Sequence, residues 1–234
     1  MKKFYKTADV EKREGGYAVL LDGKPVKTPL GRPLVVPALP LAAGLAAEWA
    51  AQGQVLKPET MPLTRLANTM VDKAAGPDRA DMNAELLKYG GSDLLCYFAP
   101  HPSDLVRKQE DVWRPLLAWM EERYGIVLGT ASGVQFRQQP PEALEKLKNI
   151  IDGLDAGAFT VVQAAAATAG SVIIALALLE GRLAAETAYA AAFVDELHQL
   201  EAWGEDEEAR RRLEAKRGEL AEVVRFRELL KTSV

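Results

Sequence analysis

The stretch AFTVVQAAAATAGSVIIALALL, residues 158–179, contains no charged residue and decides the fold. Its length meets the criterion of about 20 residues for a membrane-spanning helix. Two features argue against a span. The small residues 164–168 make the stretch only weakly hydrophobic for insertion into a bilayer, and Gly170-Ser171 is typical of a helix end followed by a new N-cap. We therefore predict two buried helices at the centre of a helical domain.

Composition limits the classes of function. The chain has 234 residues, enough for one large or two modest domains, and a net charge of −4. A general nucleic-acid binder usually carries a concentrated basic face, which this charge argues against. The single cysteine, Cys96, excludes an internal disulfide and fits a reducing compartment. The N-terminal MKKFYKTADVEK has no apolar segment of the kind found in secretory signals, so we expect a cytoplasmic protein.

The first 38 residues predict a small β-rich domain, whose boundary could extend to about residue 60. Phe4-Tyr5 is expected to open a short strand, and residues 17–21 to form a second one. Asp22-Gly23 between apolar segments is a hairpin signal. Three prolines among residues 24–33 limit the following strands to short or edge pieces.

From residue 39 to residue 234 the apolar period is mainly helical, which makes the fold class α+β: a small N-terminal β-rich domain followed by a larger, mainly α-helical domain. A short β piece is expected at residues 125–128. One helix is expected over residues 183–203, and a charged helix over residues 206–231. The last helix carries a narrow apolar stripe that could be solvated at its edges or lie along a partner: Leu213, Leu220 and Val223.

Catalytic signatures are missing from the sequence. It contains no phosphate-binding loop, dinucleotide-binding glycine turn, nucleophile elbow or paired metal-binding histidines. His198 lies near Asp195 and Glu201 on one predicted helix, and such a set could hold a metal ion, but a surface histidine among carboxylates is the simpler interpretation. We therefore expect no catalytic residue, no cofactor, no metal and no nucleotide.

Two short helical stripes have the composition of a protein interface. In the predicted helix 183–203, the side with Glu196, Gln199 and Trp203 faces away from the apolar side. A tryptophan beside hydrogen-bonding residues is typical of a binding hot spot. The same residue types recur earlier as Glu48, Trp49 and Gln52. Packing between domains uses similar residues, so both interpretations stay open for each stripe.

The order and spacing of seven sequence blocks resemble the assembly chaperones of the F-type ATP synthase that act on its alpha subunit. The resemblance covers nearly the whole chain. The blocks are LDGKPVKTPLGRPLVVP (21–37), LAAEWAAQG (45–53), MPLTRLANTMVDK (61–73), YGGSDLLCYFAP (89–100), QEDVWRPLLAW (109–119), GSVIIALAL (170–178) and VDELHQLEAWGEDEEA (194–209).

This resemblance implies a non-enzymatic molecule in two parts that holds the newly made alpha subunit before it pairs with the beta subunit. Mitochondrial members carry an additional targeting region, so the chain resembles a bacterial member. The positions that match the family blocks and are expected to bind the partner are Glu48, Trp49, Gln52, Glu196, Gln199, Trp203 and Asp206.

Two other hypotheses remain at this point. One is a small-molecule enzyme with a cleft between the β part and the helical part. The other is a peripheral membrane protein that uses residues 158–179. The chaperone hypothesis predicts neither membrane insertion nor nucleic-acid binding.

Overall fold

In the computed structural model, which describes residues 2–133, 135–204 and 206–231 without the side chain of Trp203, an antiparallel sheet precedes a mainly helical region. The predicted α+β fold class is therefore confirmed. Strand β2 is the centre of the sheet and pairs with the three other strands. The strands are β1 (Ala8–Arg13), β2 (Gly16–Leu21), β3 (Lys24–Pro25) and β4 (Val35–Val36).

The hairpin predicted at Asp22-Gly23 is confirmed. Both residues have positive φ, 47° and 77°, as a two-residue turn between twisted strands requires. The strand predicted to open at Phe4-Tyr5 was wrong, since β1 begins at Ala8. The reason is local, because the carboxylate of Asp22 accepts hydrogen bonds from the amides of Lys6 and Thr7 at 2.9 and 2.8 Å. Those amides therefore bond to the hairpin turn and not to another strand.

Helix α1 (Leu39–Ala50) packs against β1 and β2. Its buried Leu41 and Leu45 are fully inaccessible to solvent, as is Val19 on the facing strand. Burying a leucine side chain of this kind stabilises a fold by about 2 kcal/mol. The sheet and α1 thus form the core of the N-terminal part.

The remaining structure is helical apart from one small parallel pair of strands, β5 (Tyr97–Phe98) and β6 (Ala131–Ser132). The helices are α2 (Pro62–Thr69), α3 (Arg79–Gly91), α4 (Ser103–Tyr124), α5 (Pro141–Gly153), α6 (Ala156–Ala169), α7 (Val172–Leu179), α8 (Ala185–Ala192), α9 (Val194–Trp203) and α10 (Glu207–Leu230).

The strand predicted at residues 125–128 was wrong. Gly125 has a φ of 63° and ends α4 in a left-handed conformation, with its amide bonded to the carbonyl of Glu121 at 2.8 Å. The chain then runs without regular structure to Gly129, whose amide and carbonyl both bond to the amide side chain of Gln139. Strand pairing begins only at β6.

The break predicted within residues 158–179 is confirmed at Gly170-Ser171. Gly170 has a φ of 69°, and the hydroxyl of Ser171 accepts the amide of Ile174 at 3.1 Å as the N-cap of α7. Every residue of α7 from Val172 to Leu178 is buried. No helix among the described residues is both long and apolar enough to cross a membrane.

A buried carboxylate completes the start of α7. Asp93 is fully inaccessible, and its Oδ2 accepts the amides of Val172 and Ile173 at 2.8 and 3.2 Å. Its Oδ1 accepts the amide of Leu95 at 3.1 Å and so begins a short 3-10 turn. Burial raises the pKa of Asp93 to about 6. These three hydrogen bonds and one from the side chain of Ser171 lower the pKa, but their effect is smaller than that of burial.

The single helix predicted over residues 183–203 is two helices, because Phe193 leaves the helical conformation between α8 and α9 (φ −120°, ψ 28°).

The apolar stripe of α10 is part of the core. Leu213, Leu220 and Val223 are buried, and Phe226 continues the stripe. This stripe packs inside the chain, and Leu213 at its start also lines the pocket described below.

The chain divides into two compact units. Unit 1 comprises Met1–Arg79, Asp155–Thr160 and Glu222–Val234, and unit 2 comprises Ala80–Leu154 and Val161–Ala221. The sheet, α1 and α2 belong to unit 1, and α9 belongs to unit 2. The expected boundary of the β-rich part near residue 38 stays a prediction.

Candidate functional site

Three of the predicted partner-binding residues line one pocket in unit 2, where α9 ends and α10 begins. The pocket has a volume of about 330 Å³. We call it the α9–α10 pocket. Its lining residues are Glu196, Gln199, Leu200, Gly204, Asp206, Ala209, Arg212 and Leu213.

The corner between the two helices is built by a glycine and a capping aspartate. Gly204 has a φ of 87°, and its amide bonds to the carbonyl of Leu200 at 3.2 Å, which ends α9. Asp206 then accepts the amides of Glu208 and Ala209 at 2.9 and 3.4 Å, as an N-cap does. Asp206 therefore holds the shape of the pocket while its side chain remains exposed.

The polar lining of the pocket comes from both helices. Glu196 is half-buried, whereas Gln199 and Arg212 are exposed. Leu213 is buried and forms an apolar floor. The pocket thus offers two carboxylates, a guanidinium and an amide around an apolar base, a set that can form directional bonds with a protein surface.

Helix α9 is fixed to α4 by the residue next to Glu196. The fully buried Gln109 of α4 donates a hydrogen bond from its Nε2 to the carboxylate of Asp195 at 2.6 Å. The Oε1 of the same Gln109 side chain accepts the amide of Ala99 at 2.7 Å. Further along α9, Glu201 forms an ion pair and a hydrogen bond with Lys108 of α4. That hydrogen bond keeps the pKa of the Glu201 carboxyl below its usual value. The polar side of α9 that lines the pocket is therefore held in place.

His198, considered above as a metal ligand, belongs to the same ion-pair cluster. Its Nδ1 lies 3.5 Å from Nζ of Lys108, and its Nε2 lies 3.8 Å from a carboxylate oxygen of Asp104. Within the described ranges, no three His, Cys, Asp or Glu side chains are arranged to hold a metal ion.

The second predicted set lies on α1 in unit 1 and is largely internal. Glu48 is only 8% exposed. Its Oε1 accepts the amide of Leu63 at 2.8 Å, and its Oε2 accepts the amide and hydroxyl of Thr64 at 2.8 and 2.7 Å. A carboxylate thereby satisfies the first amides of α2.

Gln52 has a similar internal role. It is 7% exposed, its Oε1 accepts the amide of Lys57 at 2.8 Å, and its Nε2 donates to the hydroxyl of Thr60 at 3.0 Å. Trp49 between them is half-buried, and its carbonyl accepts the hydroxyl of Tyr5 at 2.6 Å. The indole Nε1 of Trp49 is buried without an acceptor in the described part of the chain.

The structure thus brings Glu196, Gln199 and Asp206 together, and it separately groups Glu48, Trp49 and Gln52. Helix α9 ends at Trp203, next to the α9–α10 pocket, but the Trp203 side chain lies outside the described residues. Contact of any of these residues with a partner stays a prediction.

Comparison with known proteins gives the chain its family. A family model described as "ATP12 chaperone protein" matches residues 2–121. The crystal structure of Atp12 from Paracoccus denitrificans is 38% identical in sequence, with a TM-score of 0.91 and coverage of 98% of each chain. The chain belongs to the ATP12 chaperone family.

Two further relatives agree with this assignment. The crystal structure of the Atu1473 protein of Agrobacterium tumefaciens is 40% identical, has a TM-score of 0.90, and covers 98% of this chain and 86% of its own. The mitochondrial protein atp12 of Schizosaccharomyces pombe is 23% identical over 219 residues, which is 89% of this chain and 75% of that protein. The resemblance to chaperones of ATP synthase assembly is confirmed, and with it a non-enzymatic function.

Sequence reasoning missed several residues of the pocket in this ATP12-family protein. Arg212 and Leu213 come from α10, which the sequence presents as a charged helix with a separate apolar stripe. A signal for the corner was present in Asp206, followed by Glu207 and Glu208, because acidic residues cluster at helix N-termini. It indicates where α10 starts, although not that its first turns line a pocket with α9.

Proposed function

We propose that this ATP12-family protein binds the unassembled alpha subunit of the F-type ATP synthase and keeps it from aggregating until the catalytic head is built. The observation that carries the proposal is family membership, which rests on the family model over residues 2–121 and on a solved structure that covers 98% of the chain. An unassembled subunit exposes apolar interface surface, which aggregates at cellular concentrations. A protein that covers this surface reversibly needs no catalytic group.

The α9–α10 pocket is the surface that we propose for this contact. Glu196 and Gln199 are accessible to solvent and line the pocket together with the buried Leu213. Helix α9, which carries Glu196 and Gln199, ends at Trp203. Hot spots of protein interfaces combine such polar groups with an aromatic anchor. The firm attachment of α9 through Asp195 and Gln109 supports the proposal, since a surface that is already ordered loses less conformational entropy on binding.

A smaller contribution is proposed for α1. Trp49 is half-buried, and the part of its side chain that reaches solvent is the aromatic surface that α1 offers, whereas its indole N–H is buried. Glu48 and Gln52 contribute from inside unit 1, because they bond to the segment that follows α1, between Lys57 and Thr64. We also propose a cytoplasmic location, consistent with the single buried thiol of Cys96, and no nucleic acid or nucleotide as ligand.

The proposal is tested by dilution of denatured alpha subunit into buffer with and without this protein. We expect light scattering to fall at a near-equimolar ratio, and gel filtration to recover a complex of the two chains. Denatured beta subunit is the matched control and should aggregate to the same extent in both conditions. Equal scattering of alpha subunit in both conditions, with no co-elution, would refute the proposed function.

A further inference from the structure

A turn in unit 1 presents an apolar side chain to solvent. Between β3 and β4 the chain reverses direction at residues 28–32, which we call the Leu30 turn, and Lys27 pairs with Pro33 across its base. Leu30 is 64% exposed at the tip. Pro29 and Pro33 beside it are exposed as well.

The Leu30 turn is held by hydrogen bonds within its backbone and by further hydrogen bonds to Asp72. The amide of Thr28 donates to the carbonyl of Arg32, and the amide of Gly31 donates to the carbonyl of Thr28, both at 2.8 Å. The carboxylate of Asp72 then accepts the hydroxyl of Thr28 at 2.6 Å and the amide of Leu30 at 3.1 Å. The backbone that carries Leu30 is therefore fixed at the tip itself.

Asp72 holds the turn from below. It is 4% exposed and lies in a π-helical segment, Met70–Ala74. Such segments are rare and are frequently found at functional sites. The guanidinium of Arg32 donates to the carbonyl of Val71 at 3.0 Å, which adds a second tie between the turn and this segment.

Burial of a carboxylate is unfavourable unless its oxygens are well bonded. In unit 1 the bonds of Asp72 go to an exposed turn, and the turn has no apolar core of its own. The conformation of the backbone at Leu30 is thus maintained by a buried carboxyl group. This arrangement is what preorganisation of a binding residue requires.

Exposed lysines flank the turn and its anchor in the sequence. Lys27 directly precedes Thr28, and Lys73 directly follows Asp72, so both flank the Thr28–Asp72 hydrogen bond. Both are exposed, and in the described ranges neither forms an ion pair. Lys24, at the start of the same hairpin arm, is also exposed and unpaired within those ranges.

We propose that the Leu30 turn is a second docking element, which inserts Leu30 into an apolar pocket rimmed by carboxylates on the client subunit. The inference rests on the proposed function for the identity of the client. The occupant is argued from charge complementarity, since unpaired lysines around an apolar tip favour an acidic rim and disfavour a basic one. The turn is separate from the α9–α10 pocket in sequence and belongs to the other compact unit.

The test measures the affinity of the full-length protein for the alpha subunit by isothermal titration calorimetry, in variants that change only this element. Leu30→Asp should weaken binding about tenfold or more, because a charge replaces the inserted side chain. Leu39→Asp is the matched control: Leu39 is 50% exposed in the same unit, so the same change there should alter affinity by less than about twofold.

Two further variants separate the parts of the inference. Lys27→Glu should weaken binding and reduce its dependence on salt, since the attraction to the acidic rim is lost. Asp72→Asn should speed dissociation, because the tip of the turn loses its carboxylate anchor. Thermal unfolding of each variant, measured in parallel, identifies a loss of affinity that results from unfolding.

The outcomes are distinguishable. If the wild type binds the alpha subunit and Leu30→Asp binds equally well, the Leu30 turn is not a docking element and the proposed function stands. If the wild type does not bind the alpha subunit, the proposed function fails and the inference fails with it. If the wild type forms a dimer that Leu30→Asp dissociates, the occupant is a second copy of this chain and the inference is refuted.

Discussion

Glu48 and Thr64 are joined by two hydrogen bonds to one carboxylate oxygen, from the amide of Thr64 at 2.8 Å and from its hydroxyl at 2.7 Å. The residue at the N-cap position of α2, Met61, offers no side-chain acceptor. A glutamate on α1 therefore supplies the cap that α2 lacks. This relationship explains why a charged residue is buried within unit 1.

The change Glu48→Gln should lower the free energy of unfolding by about 2 kcal/mol, because charge-assisted bonds to three donors are replaced by those of a neutral amide. Urea denaturation measures the change. Glu59→Gln, an exposed position in the same unit, should leave the stability within about 0.5 kcal/mol of the wild type. A Glu48→Gln protein as stable as the wild type would show that the cap is dispensable.

Two adjacent glycines in the β1–β2 turn should respond very differently to alanine. A Cβ at Gly16 would lie 2.2 Å from the backbone oxygen of Val36, whereas a Cβ at Gly15 would meet nothing within 4 Å. Both have positive φ, so each substitution carries backbone strain of about 1 kcal/mol. Gly16→Ala should therefore lower the free energy of unfolding by about 2 kcal/mol more than Gly15→Ala does, because β4 must shift to make room for the methyl group. Similar melting temperatures for the two variants would contradict this expectation.

The stability of the protein should carry a pH-dependent contribution from Asp93. Burial raises the pKa of Asp93 to about 6 in the folded chain from a usual value of 3.8, so the folded state binds a proton more tightly than the unfolded state. The contribution is full below pH 3.8 and is lost as pH rises through about 6. The loss amounts to about 3 kcal/mol. The Cys96 thiol, whose pKa burial raises to about 12, stays protonated throughout.

Asp93→Asn isolates this contribution, because other carboxyl groups titrate equally in both proteins. The free energy of unfolding of the wild type minus that of Asp93→Asn should fall by about 3 kcal/mol between about pH 3 and about pH 7. A difference that does not change with pH would mean that Asp93 is ionised over the whole interval.

Glu196→Lys should weaken capture of the alpha subunit about tenfold while the protein stays folded, because Glu196 is half-buried and lines the α9–α10 pocket. Trp203→Ala should act in the same direction. Glu145→Lys on α5 makes the same charge change on an exposed face and serves as the control. Circular dichroism that shows unfolding of Glu196→Lys would make the residue structural and refute this prediction.

Local signals predicted much of the fold. The hairpin at Asp22-Gly23 and the break at Gly170-Ser171 were predictable because turn geometry and N-capping depend on one or two residues. The strand expected at residues 125–128 failed for the opposite reason. Its apolar residues favour a strand, but the bonds of Gly129 to Gln139, ten residues away, hold the segment in another conformation. Such a bond leaves no periodic trace in the sequence.

The residue types of the candidate site could be predicted from the sequence, but the contacts of their side chains could be predicted only in part. Glu196 and Glu48 occur beside similar residues in sequence, yet one lines a pocket and the other caps a helix that begins 14 residues later. Periodicity assigns a residue to a side of its own helix. What packs against that side is decided by other segments, and for Glu48 that segment is the uncapped start of α2.

The two-residue break between α6 and α7 also determines whether the apolar stretch is long enough to form a membrane-spanning helix. Without Gly170 and Ser171, one apolar helix would run from residue 156 to residue 179, long enough to be recognised as a membrane-spanning segment. With them, each half falls well short of that length. The break at Gly170-Ser171 and the small residues 164–168 therefore act together: one limits the length of each helix, and the other keeps the stretch only weakly hydrophobic for insertion into a bilayer.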